Sequence, residues 1–464
     1  MSEAILRFHQ GTLTLQVDSA LASELQLGAL PLVYDERVDL WRAHANAYRD
    51  VFSHLHRVTP LCGVRLEDRA RAYTPLALRW RDTGRHPRDY QRAALDAWVS
   101  AGRQGTIVLP TGAGKSYVAH LLMENAARST LIVVPTIDLM HQWYSGLLDT
   151  FALDEVGLLG GGAHDLRPVT ITTYDSACLH MERYGDRFGL LLCDEVHHLP
   201  GPTYQLAALA CLAPFRAGLT ATPERQDGGE TRLASLVGPV VYRREIKELA
   251  GHYLADYDTE RVEVELDEDE ALAYAEARAR YTSFLRESGV SLEREGWAGF
   301  LRACTRSERG REALLAWRIQ RAIPMTCRQK LAKVSDLLLQ HRHDRTLLFT
   351  HDNATVYELS RRHLLPAITH QTPVRERKAL LAGFRQGRYP ALITSKVLNE
   401  GVDVPEANVA IVLSGSGSVR EHVQRLGRVL RKSGDKRARL YEVITRATTE
   451  EHVSERRREH DAYR

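Results

Sequence analysis

Short apolar runs alternate with amphipathic helical stretches from about Gly105 onward. Compact runs of aliphatic and β-branched residues are typical of buried strands, and helical stretches between them are typical of crossovers in a parallel sheet. The predicted strands of this first series are Gly105–Leu109, Leu131–Val134, Val169–Thr173, Leu190–Cys193 and Ala217–Thr220. The pattern therefore predicts an α/β unit.

A second series of the same kind follows a charged, helical region that extends from Leu266 to about Gln340. A solvated helical insertion is the simplest interpretation of that region, and an arm that grips a polymer is the functional alternative. The predicted strands of the second series are Thr346–Thr350, Ala367–Thr369, Ala391–Thr394, Val409–Leu413 and Arg439–Val443. Two α/β units in tandem, separated by helices, is the predicted architecture.

The first 80 residues follow a different pattern. Short apolar runs such as Thr12–Val17 and Ala29–Val33 are mixed with turn residues, and no chemical motif occurs among them. We predict a small α+β domain there. Near the other end of the chain, the arginine-rich run 455–460 is most simply a frayed, solvated helix end.

The composition is that of an ordinary soluble globular protein, with 62 basic and 59 acidic residues and a net charge of +3. This balance argues against a histone-like polycation, although a basic groove can exist within a balanced sum. No apolar run approaches the roughly 20 residues that a membrane span needs, and the N-terminal residues lack a signal-peptide core. We therefore expect a cytoplasmic protein without a membrane partner.

Six cysteines lie far apart, with no C-x-x-C pair and no spacing typical of a zinc or iron–sulfur site. We expect reduced thiols and no iron–sulfur cluster. Only eight of the 62 basic residues are lysine, so a lysine within a motif is informative.

The segment Leu109-Pro-Thr-Gly-Ala-Gly-Lys-Ser116 follows a predicted strand and opens a predicted helix, which is the context of a phosphate-binding loop. Lysine can reach the β- and γ-phosphates of ATP, and the serine hydroxyl can ligate Mg²⁺. Leu109 replaces the first glycine of the general consensus, and a mere glycine turn is the alternative. The predicted nucleotide-binding residues are Thr111, Gly112, Ala113, Gly114, Lys115 and Ser116.

The run Leu190–Cys193 delivers Asp194 and Glu195 at the carboxyl end of a predicted strand, where ligands bind in open parallel sheets. We predict that Asp194 holds Mg²⁺ and that Glu195 orients the attacking water. A solvated turn is the alternative. His197 and His198 lack a third zinc ligand nearby, so we assign them to signalling between motifs or to packing.

Arg425, Arg428 and Arg431 are spaced by three residues and so lie near one face of a predicted helix. Because phosphoryl transfer is catalysed mainly by charge stabilisation, Arg428 and Arg431 are predicted to reach the γ-phosphate. A surface charge stripe is the alternative interpretation.

These motifs resemble those of superfamily 2 helicases, and among them most closely the compact archaeal type of the xeroderma pigmentosum group B (XPB) family. The resemblance rests on the phosphate loop, Asp194-Glu-Val-His-His-Leu-Pro200, Gly218-Leu-Thr-Ala-Thr-Pro223, Ala367-Ile-Thr-His370 and Gln424-Arg-Leu-Gly-Arg-Val-Leu-Arg431. It is specific from about Arg88 to Lys432 and weaker over the first 80 residues. It implies two tandem RecA-like parallel-sheet domains with a small N-terminal α+β domain and a helical thumb-like insertion.

The resemblance also implies domain bounds and further site residues. The implied domains are a damage-recognition-like domain at 1–80 and RecA-like domains at 81–250 and 251–464, with the thumb near 270–325. Arg88 and Gln91 resemble the adenine-reading segment, and Gly401 and Asp403 resemble second-domain nucleotide contacts. Gln424, in the last motif, is implied to be catalytic together with Arg428 and Arg431. The implied DNA-binding or coupling residues are Thr136, Gln142, Thr173, Tyr174, Thr220, Thr222, Arg225, Asp227, Thr350 and Thr394.

The function that these features predict is an ATP-dependent, DNA-stimulated translocase or helicase of 3′-to-5′ polarity that opens or remodels duplex, forked or bubble DNA in nucleotide excision repair. A nuclease partner, of the kind that archaeal relatives use, is an additional expectation. An RNA helicase, a restriction-type translocase and an ATP-switched protein that binds distorted DNA without moving strands remain alternatives. Arg225-Gln226-Asp227 departs from the family's Arg-Glu-Asp element, which leaves the strength of unwinding open.

Overall fold

The computed structural model describes residues 2–82, 84–224, 228–249, 252–253, 256–292, 294–395, 407–413 and 437–451. The chain separates into two compact units, Met1–Arg244 and Glu245–Arg464. No helix in these described ranges is both long and apolar enough to cross a membrane.

The first unit begins with a small sheet of five strands and one long helix. The strand order is β3-β4-β2-β1-β5, in which β1 and β2 form an antiparallel hairpin and β5 is parallel to β1. Leu6 of one hairpin strand pairs with Leu15 of the other, and both side chains are fully buried. Every second side chain of a half-buried strand points to the same face, so such pairs form the core. The elements are β1 (Glu3–His9), β2 (Thr12–Gln16), β3 (Val33–Asp35), β4 (Leu40–His44), α1 (Tyr48–Val58) and β5 (Arg65–Arg69).

This small domain packs on the larger sheet of the same unit. Leu212 lies in the small domain's apolar core, Arg49 Nη1 donates to the Gly102 carbonyl at 2.7 Å, and the Ala72 amide donates to the Asp186 carbonyl at 3.0 Å. The three partners from the larger sheet all precede strands. The small domain therefore occupies the amino edge of that sheet and leaves its carboxyl edge, where ligands bind in such folds, open.

The larger sheet has eight strands in the order β13-β6-β12-β11-β7-β10-β8-β9, all parallel except the final hairpin. Its central strands are buried on both faces because helices cover them, as expected for a parallel sheet. Its elements are α2 (Asp89–Ser100), β6 (Gln104–Val108), α3 (Lys115–Ala126), β7 (Thr130–Val134), α4 (Ile137–Thr150), β8 (Gly157–Gly160), β9 (Ala163–His164), β10 (Val169–Thr173), α5 (Tyr174–Tyr184), β11 (Leu190–Asp194), α6 (Gln205–Leu209), β12 (Phe215–Thr220), α7 (Leu233–Leu236) and β13 (Val240–Arg243).

The second unit contains a six-stranded, wholly parallel sheet in the order β14-β19-β18-β15-β17-β16. Its elements are α8 (Ile246–Leu249), β14 (Asp256–Val264), α9 (Glu268–Ser288), α10 (Gly296–Thr305), α11 (Glu308–Thr326), α12 (Arg328–Gln340), β15 (Thr346–Phe349), α13 (Asn353–His363), β16 (Ala367–Ile368), α14 (Val374–Arg385), β17 (Ala391–Thr394), β18 (Val409–Val412) and β19 (Arg437–Thr445).

The helices α9 to α11 form the insertion between β14 and the rest of the second sheet. Asp267 precedes α9 as its N-terminal cap, and its backbone amide donates to Glu270 Oε2 at 3.1 Å, which satisfies one of the free groups at the helix start. Trp297 and Trp317 contact each other with ring centroids 4.3 Å apart and join α10 to α11. The predicted fold class, tandem parallel α/β units with a small α+β domain and a helical insertion, is confirmed.

All ten predicted strands of the two α/β units are present, with ends shifted by no more than two residues. Four strands were missed. The hairpin of β8 and β9 contains Gly160, Gly161 and Gly162 and lacks an apolar run, and β13 is a half-exposed edge strand. The fourth, β14, is an edge strand in which charged positions alternate with partly buried ones, so it has no continuous apolar signal.

An aromatic cluster packs against α3 in the first unit. His120 is buried there against Trp80, Trp143 and Phe151, with ring centroids 6.3, 5.8 and 5.4 Å away. Burial, assisted by the positive charge of Arg85, lowers the pKa of the His120 imidazole to about 4. The ring is therefore neutral in the folded chain at neutral pH.

Acidification from pH 6.5 to pH 4 should destabilise the first unit by up to about 3 kcal/mol through His120. The unfolded chain takes up this proton first as the pH falls, so the contribution is complete above pH 6.5 and is lost towards pH 4. Chemical unfolding across this pH range measures the free energy of unfolding. That free energy should fall less steeply with acidification in His120→Phe than in the wild type. The control His141→Phe replaces an exposed histidine and should keep the wild-type slope, whereas equal slopes in all three proteins would refute the assignment.

Candidate nucleotide-hydrolysis site

The loop between β6 and α3 has the backbone of a phosphate cradle. Gly112 and Gly114 adopt left-handed φ angles of 88° and 78°, which a residue with a Cβ rarely adopts. α3 begins at Lys115, so its free N–H groups and positive dipole end face the loop. Lys115 Nζ lies 3.4 Å from the Leu109 carbonyl, and the buried Thr111 Oγ1 has no hydrogen-bond partner among the described residues.

The start of α2 contacts this loop through two side chains. The Tyr90 hydroxyl and the Gln91 side-chain amide both donate to the Ala113 carbonyl, at 2.6 and 3.3 Å. The Gln91 side-chain carbonyl accepts the Arg88 backbone amide at 3.0 Å, which fixes the direction of the side chain. The predicted adenine-reading segment thus contacts the loop directly. Tyr90 belongs to that segment and contacts the loop, although only Arg88 and Gln91 were predicted as its site residues.

A pocket of about 310 Å³ lies beside α3, one helical turn after the loop. Tyr117 lines it, and its hydroxyl donates to the Arg85 carbonyl at 3.2 Å. Trp80, His86 and Pro87 contribute further lining, so ring faces and polar groups are both present. Such a mixture suits a flat heteroaromatic ligand.

Asp194 ends β11 and lies buried at the carboxyl edge of the sheet. Its Oδ2 accepts the Trp143 indole N–H at 2.9 Å, and its Oδ1 accepts the Glu195 backbone amide at 2.9 Å. Burial raises the pKa of this carboxyl group, while the positive charge of Lys115 and these two hydrogen bonds act in the opposite direction. The motif resemblance includes the pair Gln142-Trp143, but only Gln142 was predicted as a site residue, and no pattern in the sequence indicated the contact from Trp143 to Asp194.

Glu195 has a left-handed backbone with φ 46° and ψ 52°, a conformation that costs energy for a residue with a side chain. Strain of this kind concentrates at functional sites, and here it turns the chain sharply after the buried Asp194. The Glu195 carboxylate lies 3.5 Å from His197 Nδ1 and is largely buried.

A chain of hydrogen bonds joins this turn to the end of β12. His197 Nδ1 lies 3.0 Å from Thr220 Oγ1, whose hydroxyl donates to the Thr222 carbonyl at 3.1 Å. His197 and Thr220 are fully buried, and Thr222 is nearly so. The arrangement connects the Asp194-Glu195 turn to the predicted coupling segment. Signalling and packing both stay predictions for His197, which is fully buried and bonded.

Three further predicted residues support the same edge. Thr136 and Thr173 cap α4 and α5, each accepting a backbone amide at 3.2 Å. The buried Tyr174 hydroxyl donates to the Asp194 carbonyl at 2.9 Å, so this ring contacts the site from inside. Gln142 is half-buried on α4. The carboxyl edge therefore brings together most of the first-unit residues that the sequence singled out.

In the second unit, Thr350 and Thr394 are fully buried at the carboxyl ends of neighbouring strands. The Thr350 amide donates to the Thr394 carbonyl at 2.9 Å. The remaining predicted site residues lie outside the described residues: Arg225, Asp227, Gly401, Asp403, Gln424, Arg428 and Arg431.

The residues present fit a magnesium nucleotide. The glycine backbone and the start of α3 supply N–H donors for phosphate oxygens, and within the described part of the chain the buried Thr111 Oγ1 has no hydrogen-bond partner. Ser116 is exposed at the helix start, and Asp194 supplies a carboxylate. Hydroxyl and carboxylate oxygens are ligands that Mg²⁺ prefers.

Two parallel sheets, a phosphate loop and an acidic turn at the carboxyl edge define the chain as a helicase-type ATPase. Three family models match it: xeroderma pigmentosum group B helicase damage recognition domain at residues 6–70, type III restriction enzyme, res subunit, at 85–225, and helicase conserved C-terminal domain at 329–433. The chain belongs to the XPB family of helicases and is an ATP-hydrolysing enzyme.

Individual relatives agree with this assignment. The chain is 38% identical to the DNA 3′-5′ translocase XPB2 of Sulfurisphaera tokodaii, over 86% of this chain and 96% of that protein. It is 34% identical to the DNA 3′-5′ helicase XPB of Mycobacterium tuberculosis, over 80% of this chain but only 63% of that longer protein. The Hef helicase domain of Pyrococcus furiosus is similar in fold, with a TM-score of 0.53 and 19% identity over 79% of this chain and 97% of the other.

Gly114→Ala should weaken ATP binding by about tenfold or more. The alanine would have to adopt a strained, left-handed φ angle, and its Cβ would lie 2.8 Å from the Gln91 side-chain nitrogen. Titration with a fluorescent ATP analogue measures the loss. Gly162→Ala is the matched control, since Gly162 has φ 90° with open space around its Cβ position. The control should lose stability only, and an affinity loss of equal size in both variants would contradict the role of the loop.

Proposed function

We propose that the chain couples ATP hydrolysis to 3′-to-5′ movement along DNA and so opens or remodels duplex, forked or bubble substrates. The observation that carries this proposal is the convergence of Lys115, Asp194 and the His197–Thr220 contact at one edge of the first sheet. A nucleotide contact, a metal-holding carboxylate and a connection to the coupling segment are the parts that a nucleic-acid motor needs.

The proposed role of each residue in ATP binding and hydrolysis follows from its position in the site. Lys115 and the N–H groups at the start of α3 bind the phosphates, and Ser116 and Asp194 hold Mg²⁺. When bound, Mg²⁺ neutralises charge on the β- and γ-phosphate oxygens. Glu195 orients the attacking water, and Arg88 and Gln91 position the adenine end, with the pocket beside Tyr117 as the site for the base.

Further roles are proposed for motif residues in the second half of the chain. Arg428 and Arg431 stabilise charge at the γ-phosphate, and Gln424 acts with them as a catalytic residue. Gly401 and Asp403 contribute further nucleotide contacts. Thr136, Gln142, Thr173, Thr350 and Thr394 are assigned to DNA binding or coupling, together with Arg225 and Asp227. This division rests on the sequence motifs.

Support for DNA as the substrate comes from the relatives, whose names specify DNA and the 3′-5′ direction, and from the damage recognition domain matched at residues 6–70. Nucleotide excision repair in the cytoplasm is the proposed setting. The nuclease partner stays a prediction that rests on the family resemblance alone. Gln226 stands where the family's element has an acidic residue, so we propose translocation as the main activity.

Triplex displacement and strand displacement, measured on the same preparation, test this function. A translocase displaces the third strand from a triplex in an ATP-dependent reaction, and a helicase in addition separates a fork. A protein that uses ATP only as a switch to mark distorted DNA would do neither. Displacement of RNA duplexes but not of DNA would favour the RNA helicase alternative.

Lys115→Ala should abolish productive ATP binding, whereas Glu195→Gln should retain ATP and lose turnover by about 10³-fold, because only the first residue contacts phosphate. Equilibrium nucleotide binding and single-turnover hydrolysis separate the two effects. Lys247→Ala, which removes an exposed lysine of α8, is the control and should behave as wild type. An equal loss of affinity in the Lys115 and Glu195 variants would overturn this division of roles.

Val33→Ser combined with Val38→Ser should reduce the preference for bubble over plain duplex while sparing ATPase activity on plain duplex. Both side chains are exposed around the β3–β4 hairpin, at 72% and 52%, and apolar side chains can insert where bases are already unstacked. Competition binding with bubble DNA and plain duplex DNA gives the ratio of the two affinities. Leu364→Ser, at a position 91% exposed in the second unit, is the control. An unchanged ratio would favour a role of this domain as a cap on the first sheet.

A further inference from the structure

Trp143 occupies a position in the site that none of its proposed parts explains. The side chain is buried on α4, yet its indole N–H ends on Asp194 Oδ2 at 2.9 Å. Indole nitrogen can only donate, so this contact is directional and uses one specific carboxylate oxygen. Apolar packing alone would not require a tryptophan to direct its one polar atom at the metal-holding group.

The contact leaves the carboxylate suited to a cation. Oδ1 accepts the Glu195 amide and Oδ2 accepts the indole N–H, and a carboxylate oxygen with one such donor keeps further acceptor capacity. Two donors on opposite oxygens fix the plane of the carboxylate. Groups that orient a metal ligand in this way are often as important for metal affinity as the ligand itself.

The indole is itself held in place and connected to the proposed DNA-contacting helix. His120 packs edge-on against it, with ring centroids 5.8 Å apart and an interplanar angle of 86°. Trp143 lies on the same face of α4 as the buried Met140 and Leu147, while Thr136 caps the start of this helix. A displacement of α4 would therefore be transmitted to the carboxylate through one hydrogen bond.

We propose that Trp143 is a positioning residue that orients Asp194 for a divalent cation and ties this carboxylate to α4. The inference rests on the proposed function in assigning Mg²⁺ to Asp194 and DNA to α4. It adds a residue and a route by which DNA on α4 changes the affinity for the metal.

The test is the Mg²⁺ concentration that half-saturates binding of a fluorescent, non-hydrolysable ATP analogue. Trp143→Phe keeps an aromatic ring but removes the N–H, and should raise this concentration by about tenfold or more. Trp143→His restores an N–H at the same position of a five-membered ring and should require less Mg²⁺ than the phenylalanine variant. This comparison remains informative if either substitution lowers stability.

Trp98→Phe is the matched control. Trp98 is also fully buried in the first unit, and its indole N–H donates to the Arg216 carbonyl at 2.8 Å, away from the loop. Its substitution removes an equivalent buried hydrogen bond and should leave the Mg²⁺ requirement unchanged. An equal rise in both variants, or no rise in Trp143→Phe, would overturn the proposal.

Adding duplex DNA tests the connection to α4. DNA should change the Mg²⁺ requirement of the wild-type chain and leave that of Trp143→Phe fixed, and a response of equal size in both would overturn the connection. Failure of the proposed function is distinguishable, because the comparison without DNA does not depend on it. A Trp143 effect on Mg²⁺ in a chain whose ATPase ignores DNA would support the positioning role and contradict the motor.

Discussion

Burial of the Asp194 carboxylate is the constraint on which the first unit's site depends. A carboxylate removed from water is strongly unfavourable unless charge and hydrogen bonds compensate for the lost solvent. Lys115 supplies the charge, and Trp143 and the Glu195 amide supply the hydrogen bonds. The phosphate loop, α4 and the strained turn after β11 are thereby brought to one point of the sheet.

In the first unit, the nucleotide site and the small N-terminal domain lie at opposite edges of the large sheet. The domain is fixed to the amino edge through Leu212, Gly102 and Asp186, whereas the loop and the acidic turn occupy the carboxyl edge. The parallel strands of the large sheet therefore extend from the small domain at one edge to the nucleotide site at the other.

The parts of the fold that the sequence predicted are those with local signals. The phosphate loop combines a strand, a glycine turn and a helix start within a short segment, and Asp194-Glu195 follows a continuous apolar strand. The contact from Trp143 to Asp194 joins residues 51 positions apart, so neither local pattern contains it. β14 was missed because an edge strand with charged positions resembles a solvated segment. The roles of Arg428 and Arg431 remain sequence predictions, since they lie outside the described residues.

Steady-state ATP hydrolysis by the 464-residue chain, measured with duplex DNA, single-stranded DNA, RNA and no nucleic acid, tests the central claim most directly. If the carboxyl edge of the first sheet is the nucleotide site of a DNA motor, turnover should rise severalfold with DNA and stay near the basal rate with RNA. Turnover that is equal with and without nucleic acid, or that responds to RNA in preference to DNA, would contradict the account.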